Sequence, residues 1–175
     1  MSDKRELITK DWFVIADTHF FHDNIAKYED RPENHNYLIL DNWNRVVQQG
    51  DRVLHLGDLT LGDKQESRRL IKQLNGKKYI ILGNHDKKSN SWYRDLGFTV
   101  IMPTYQFFNN GHILVLFSHE PDNNFDGGRM VGVNVHGHIH LGKHREFYPK
   151  HPKRFINVSV EVIDYTPQRI GDLIP

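Results

Sequence analysis

Short apolar runs alternate with amphipathic stretches through the first half of the chain. WFVIA at 12–16, RVLHLG at 52–57 and KYIILG at 78–83 are each too short for a helix and end in glycine or a polar residue, which predicts buried strands. Between the first two, NYLILDNWNRVVQQG (36–50) sets Leu38, Trp43, Val46 and Val47 near one helical face, with Gly50 as a stop. DKQESRRLIKQLNG (63–76) does the same around Leu70, Ile71 and Leu74, and Asn75 and Gly76 close it. The front half is therefore predicted as βαβαβ, with parallel strands and right-handed crossovers.

Beyond residue 100 the pattern changes. Segments 104–108 and 112–118 flank Asn109, Asn110 and Gly111, a tight-turn signal for a hairpin. Val131 to Val135 and Phe155 to Ile163 are β-rich, and Pro167 to Ile174 reads as a terminal helical turn after a Thr166 cap. An α/β front half followed by an antiparallel β half predicts two packed mixed sheets flanked by helices. No linker, repeat or low-complexity segment interrupts the pattern, so residues 1–175 are expected to form one domain.

Composition narrows the function. With 38% apolar and 26% charged residues the chain is an ordinary globular sequence. A formal charge of +1 provides no global field for nucleic acid or an anionic membrane. The N-terminus carries charges where a signal peptide needs an apolar core, and no run approaches the ~18 apolar residues of a spanning helix, so a cytoplasmic location is the expectation. The absence of cysteine removes disulfides, thiolate zinc sites and a cysteine nucleophile. Twelve histidines are the unusual feature, and many of them sit with Asp and Asn at strand ends or in turns.

In open α/β folds ligands bind beyond the carboxyl ends of the strands. The three early strands bring Asp17 and His19, then Gly57 and Asp58, then Gly83, Asn84, His85 and Asp86 to that edge. Alternate residues of an extended segment face one way, so Asp17 and His19 can both point at one ion, and His138 and His140 have the same spacing. Glycine at 57, 83 and 137 permits tight turning beside a crowded site.

Five blocks, DTH, GD, GNHD, SH and HGHIH, occur in order, each after a predicted strand. Together they resemble the signature of the calcineurin-like metallophosphoesterase superfamily from Trp12 to about Asp164. DTHFFHDNI, YEDRP, HLGDLTLGD, LNGKK and NVSVE further resemble a branch of small stand-alone bacterial and phage phosphoesterases. The resemblance implies an α/β/β/α sandwich and a dinuclear site hydrolysing a phosphodiester, and possibly a monoester, through a metal-bridging hydroxide. Asp17, His19 and His140 would hold the first metal, Asn84, His119 and His138 the second, and Asp58 would bridge. Such oxygen and nitrogen donors suit Mn, Fe, Zn, Co or Ni rather than Ca, with Mn the expected ion in assay. His85, facing away from its neighbour Asn84, would protonate the leaving oxygen or stabilise developing charge. The family's usual acidic partner for this histidine is replaced by Leu61, which leaves Asp86, Asp63 or no carboxylate at all.

Several residues carry two readings. His22 either lines the pocket or sits on the surface; Arg31 either clamps a substrate phosphate or forms a surface salt bridge. Arg129, in a glycine-rich loop spanning 123–132, is a further substrate-binding candidate, and five basic residues between Lys143 and Arg154 border the expected site. His55 reads as a structural strand histidine and His136 as support behind the ligands, while His35, His112, His144 and His151 are expected to be solvated. Asn157, Ser159 and Glu161 either back the metal site or form a polar sheet edge. The expected partner is a small or nucleotide-like phosphate ester, with no membrane and no obligate protein partner. A nuclease with the same two-metal chemistry and an inactive metal-binding scaffold are the alternatives.

Overall fold

The computed structural model describes residues 7–101, 105–125, 131–141 and 154–174. The first predicted run becomes β1 (Phe13–Ile15), followed by helix α1 (Asp23–Tyr28) and helix α2 (His35–Val46). Next come β2 (Arg52–His55), α3 (Lys64–Ile71), β3 (Lys77–Ile80), α4 (Asn90–Asp95) and β4 (Phe98–Val100). Pairing of β1 to β4 is parallel throughout, and the order β4-β3-β2-β1 is completed by β9 (Gln168–Arg169), antiparallel to β1.

Pleat alternation explains why these strands read as continuous apolar runs. Phe13, Ile15 and Val53 pack against the helical layer through Ile39, Trp43, Val47, Leu70 and Ile71. Their neighbours Val14, Ala16, Leu54, Leu56 and Ile81 join Val115, Phe117, Val133 and Val135 of a second sheet. Both faces are buried, so neither carries a polar stripe. Asp63 starts α3 by accepting from Gln65 N (2.8 Å) and Glu66 N (3.0 Å).

The second sheet runs β5-β6-β7-β8 (Tyr105–Asn110, Ile113–Ser118, Val131–His136, Phe155–Asn157). A hairpin joins β5 and β6, but the register Asn110 opposite Ile113 puts Gly111 and His112 in the turn, one residue later than expected. Gly111 has φ +67, a conformation natural to glycine. The antiparallel expectation fails for the rest of this half: β6–β7 and β7–β8 are parallel. The terminal segment also differs, forming β9 before the short helix α5 (Ile170–Leu173). Two mixed sheets packed face to face with helices outside the first give the expected α/β architecture. Among the described residues no helix is long and apolar enough to cross a membrane.

Candidate metal centre

The carboxyl ends of β1, β2, β3, β6 and β7 all open on one region. Asp17 and His19 follow β1, Asp58 follows β2, Asn84 and His85 follow β3, His119 follows β6, and His138 and His140 follow β7. The expectation that Asp17 and His19 converge by strand alternation is corrected by the backbone. Asp17 (φ 57), His19 (φ 44), Asp58 (φ 58), His138 (φ 71) and His140 (φ 44) are all left-handed. Each such residue costs about 1–3 kcal/mol and persists only where its surroundings hold it. Here Asp17 N donates to Gly57 O and His19 N to Asp58 O, both at 3.0 Å. His138 N and Ser159 Oγ donate to Asp17 Oδ2 at 2.8 and 2.7 Å. Close approach needs glycine at 137, where a Cβ would overlap Asp17 Oδ2 and lie 2.5 Å from Ala16 Cβ.

Donor atoms of Asp17, His19 and His140 lie within 4.8 Å of one another. Asp17 Oδ1 and both ring nitrogens of His19 are buried with no hydrogen-bond partner. Leaving such atoms unpaired is unfavourable by about 1–3 kcal/mol each, and one cation would satisfy the oxygen and an imidazole lone pair together. Burial pushes Asp17 up and His19 well below its ordinary value, the latter helped by His140 and Arg31. His140 Nδ1 faces both oxygens of Glu161 at 3.1 Å, which puts its proton there and leaves Nε2 as the donor. Although burial opposes the charge on His140, its hydrogen bond to Glu161 and the Asp17 carboxylate raise it.

Asp17, Asp58 and His119 form a second group with donors within 4.8 Å. His119 Nδ1 lies 2.7 Å from Leu56 O and must donate to it, so Nε2 presents a lone pair. That lone pair faces Asn84 Oδ1 at 2.8 Å, His138 Nδ1 at 3.2 Å and Asp58 Oδ2 at 3.4 Å. Ligands about 2.1 Å from one ion stand roughly 3.0–3.4 Å apart in octahedral or tetrahedral geometry, which these separations match. A lone pair, an amide oxygen and a carboxylate facing one another lack a positive charge between them, and a divalent cation fits that need.

His85 is exposed, its N–H donating to Asp58 Oδ1 at 2.9 Å and its ring centroid 5.6 Å from that of His19. Neither carboxylate considered as its partner serves it. Asp86 is buried and accepts from Asp58 N (2.7 Å), Gly83 N (2.8 Å), Leu59 N (3.2 Å) and Tyr93 Oη (3.1 Å). Asp63 is the α3 cap. Among the described residues no carboxylate pairs with His85.

The His22 ring centroid is 5.4 Å from that of His19, and His22 Nδ1 is buried without a hydrogen-bond partner, so it borders the same region. Arg31 is neither a surface pair nor open to a phosphate: its guanidinium is fully buried and donates to Glu161 and to the carbonyls of Asp17 and Thr18. Arg129 lies outside the described residues, as does most of the basic 143–154 segment. His55 is structural: Gly57 N donates to its Nδ1, its Nε2 donates to Thr18 Oγ1, and burial lowers its pKa to about 3. His136, buried against Phe155, is lowered to about 4 by burial. His35 is buried rather than solvated, its Nδ1 donating to Pro32 O at 3.1 Å. Asn157 and Ser159 back the site, through His140 O and Asp17 Oδ2. No local signal in the sequence marks the Arg31–Glu161 pair, whose members are 130 positions apart.

The two-sheet sandwich thus gathers Asp, His and Asn side chains at its strand ends, among them two groups that could hold a metal ion. Residues 11–157 match the calcineurin-like phosphoesterase superfamily domain, and the chain belongs to that superfamily. An uncharacterized protein of Methanocaldococcus jannaschii is 42% identical over 174 residues, covering 93% of this chain and 88% of that one. A crystal structure of a protein of unknown function from Aquifex aeolicus superposes with TM-score 0.70 at 28% identity, covering 93% of this chain and 98% of that one.

Proposed function

We propose that this chain hydrolyses a phosphodiester using two divalent cations, one held by Asp17, His19 and His140, the other by Asn84, His119 and His138, with Asp58 shared. The observation that carries this reading is the position of Asp58 Oδ2, 3.5 Å from His19 Nε2 and 3.4 Å from His119 Nε2, one oxygen within reach of both donor groups. When bound, the cations would supply an ionised water at neutral pH and electrophilic hold on the phosphoryl oxygens. Asp17 and Asp58 bring the only two formal negative charges of the donor set, half offsetting two divalent ions and leaving the centre attractive to an anionic ester. His119 and His140 are held by Leu56 O and Glu161 with one nitrogen free, so neither ring must reorient to act as a donor. His85, exposed beside the donors, is the group available to give a proton to the departing oxygen. His22, its ring 5.4 Å from that of His19, would hydrogen-bond the ester.

The test is turnover of bis(4-nitrophenyl) phosphate. Chelated, metal-free protein should be inactive and added Mn should restore hydrolysis. Undiminished turnover in a verified metal-free preparation rejects the metal mechanism, and hydrolysis of monoesters alone rejects the diester assignment.

A further inference from the structure

Arg31 lies behind the first donor group with its side chain 0% exposed, paired to Glu161 at 2%. Its Nε and Nη2 both reach Glu161 Oε1, at 2.7 and 2.5 Å, while Nη1 donates to Thr18 O and Nη2 to Asp17 O, each at 2.8 Å. Both oxygens of Glu161, including the Oε1 that Arg31 holds, lie 3.1 Å from His140 Nδ1. One guanidinium therefore grips the left-handed 17–19 turn and, through a single carboxylate, the imidazole of His140 from the other sheet. The second donor group is built differently: His119 is anchored by a backbone carbonyl, and among the described residues no Arg–carboxylate pair stands behind it.

We infer that Arg31 and Glu161 are positioning residues for the ion site of Asp17, His19 and His140, setting its affinity by fixing the 17–19 turn and the tautomer of His140; this rests on the proposed function. The carboxylate can only accept, so the His140 proton stays on Nδ1 and Nε2 keeps its lone pair. A glutamine at 161 weakens this: with Arg31 holding the amide oxygen, the amide NH2 replaces Oε2 in front of His140 Nδ1, so the Nδ1 proton loses one of its two acceptors and the balance moves toward the Nε2 tautomer, which blocks coordination. Lysine at 31 keeps the charge but lacks the planar fork that spans two carbonyls and a carboxylate together. A pair that served only the general stability of the fold would affect both ions alike and leave the tautomer unchanged.

The experiment is Mn binding by equilibrium dialysis on the full chain, with 15N histidine NMR of the metal-free protein. At an Mn concentration that just fills both sites of wild type, wild type should bind two ions, Glu161→Gln one, Asn84→Ala the other one, and the double variant none. Loss of such supporting contacts typically weakens metal affinity about 10- to 100-fold, and that is the expected change at the first site of Glu161→Gln. The His140 proton should shift from Nδ1 to Nε2 in Glu161→Gln, and Arg31→Lys should reproduce the selective ion loss. Two ions held as tightly in both Glu161→Gln and Arg31→Lys as in wild type, an unchanged tautomer in Glu161→Gln, or an ion retained by the double variant overturns the inference. A wild-type chain that binds no ion sinks the proposed function first, and the inference with it.

Discussion

His85 shows how one residue's role can be separated from its neighbours' roles. Its backbone is tied to Asp58 Oδ1, while the side chain is exposed and unpaired with any described carboxylate. If it donates a proton to the leaving group, His85→Ala should hardly affect a nitrophenolate ester, whose leaving-group pKa near 7 needs no help, and should slow an alkyl ester by about 100- to 10,000-fold. Assays on matched aryl and alkyl diesters with metal content measured alongside check this, and a uniform loss across leaving groups would refute it. His55 makes a separate prediction about stability. Burial holds it neutral to about pH 3 in the folded protein, against 6.5 when unfolded. The unfolded chain therefore binds the extra proton within that window. The stability His55 contributes is complete above pH 6.5 and is lost as the pH falls toward about 3, at no more than about 1.4 kcal/mol per pH unit. His55→Gln should remove that part of the slope in denaturant titrations between about pH 6 and pH 4; parallel slopes for the two proteins would contradict it. The identities of the donors were legible as DTH, GD, GNHD, SH and HGHIH. How they converge was not, because a left-handed φ at Asp17 or His138 is set by the contacts that hold it and leaves no mark in a one-dimensional pattern.

Asp86 acts between elements. Its carboxylate ties the loop after β2 to the loop after β3 through three backbone N–H groups, and it reaches α4 through Tyr93. Asp86→Ala strands those donors, at about 1–3 kcal/mol for each group left buried and unpaired, so a loss of about 3–5 kcal/mol is expected. Tyr93→Phe removes a single bond and should lower stability by about 1 kcal/mol. Urea unfolding measures both; an Asp86→Ala protein within about 0.5 kcal/mol of wild type would return Asp86 to a role outside the fold. The core elements were readable because β1, β2 and β3 lie in or overlap the apolar runs 12–16, 52–57 and 78–83, and α2 and α3 span enough turns to show a stripe. Helices α1 and α4, of six residues each, are too short for periodicity to register. Within α2 the buried face runs through Ile39, Leu40 and Trp43 rather than Leu38, since packing on β1 sets the rotation.

At the scale of the molecule, the candidate donors meet because parallel strands in both sheets end at the same edge. Residues 17, 58 and 84 arrive from one sheet and 119, 138 and 140 from the other. That arrangement was only half legible. The crossovers of the first sheet contain recognisable helices, whereas those joining β6 to β7 and β7 to β8 carry no helical pattern, and the Asn-Gly hairpin signal suggested antiparallel pairing throughout. We propose that residues 1–175 form a single domain around the core shared by the two sheets. The sharing of Asp58 between the two donor groups is the centre of the account, so the most direct measurement counts Mn ions per chain in wild type and in Asp58→Asn after equilibrium dialysis. The account predicts two ions in wild type and a joint weakening of both in Asp58→Asn, because the substitution removes one of two donor charges from the position nearest both sites. Two ions held as tightly in Asp58→Asn as in wild type would contradict it.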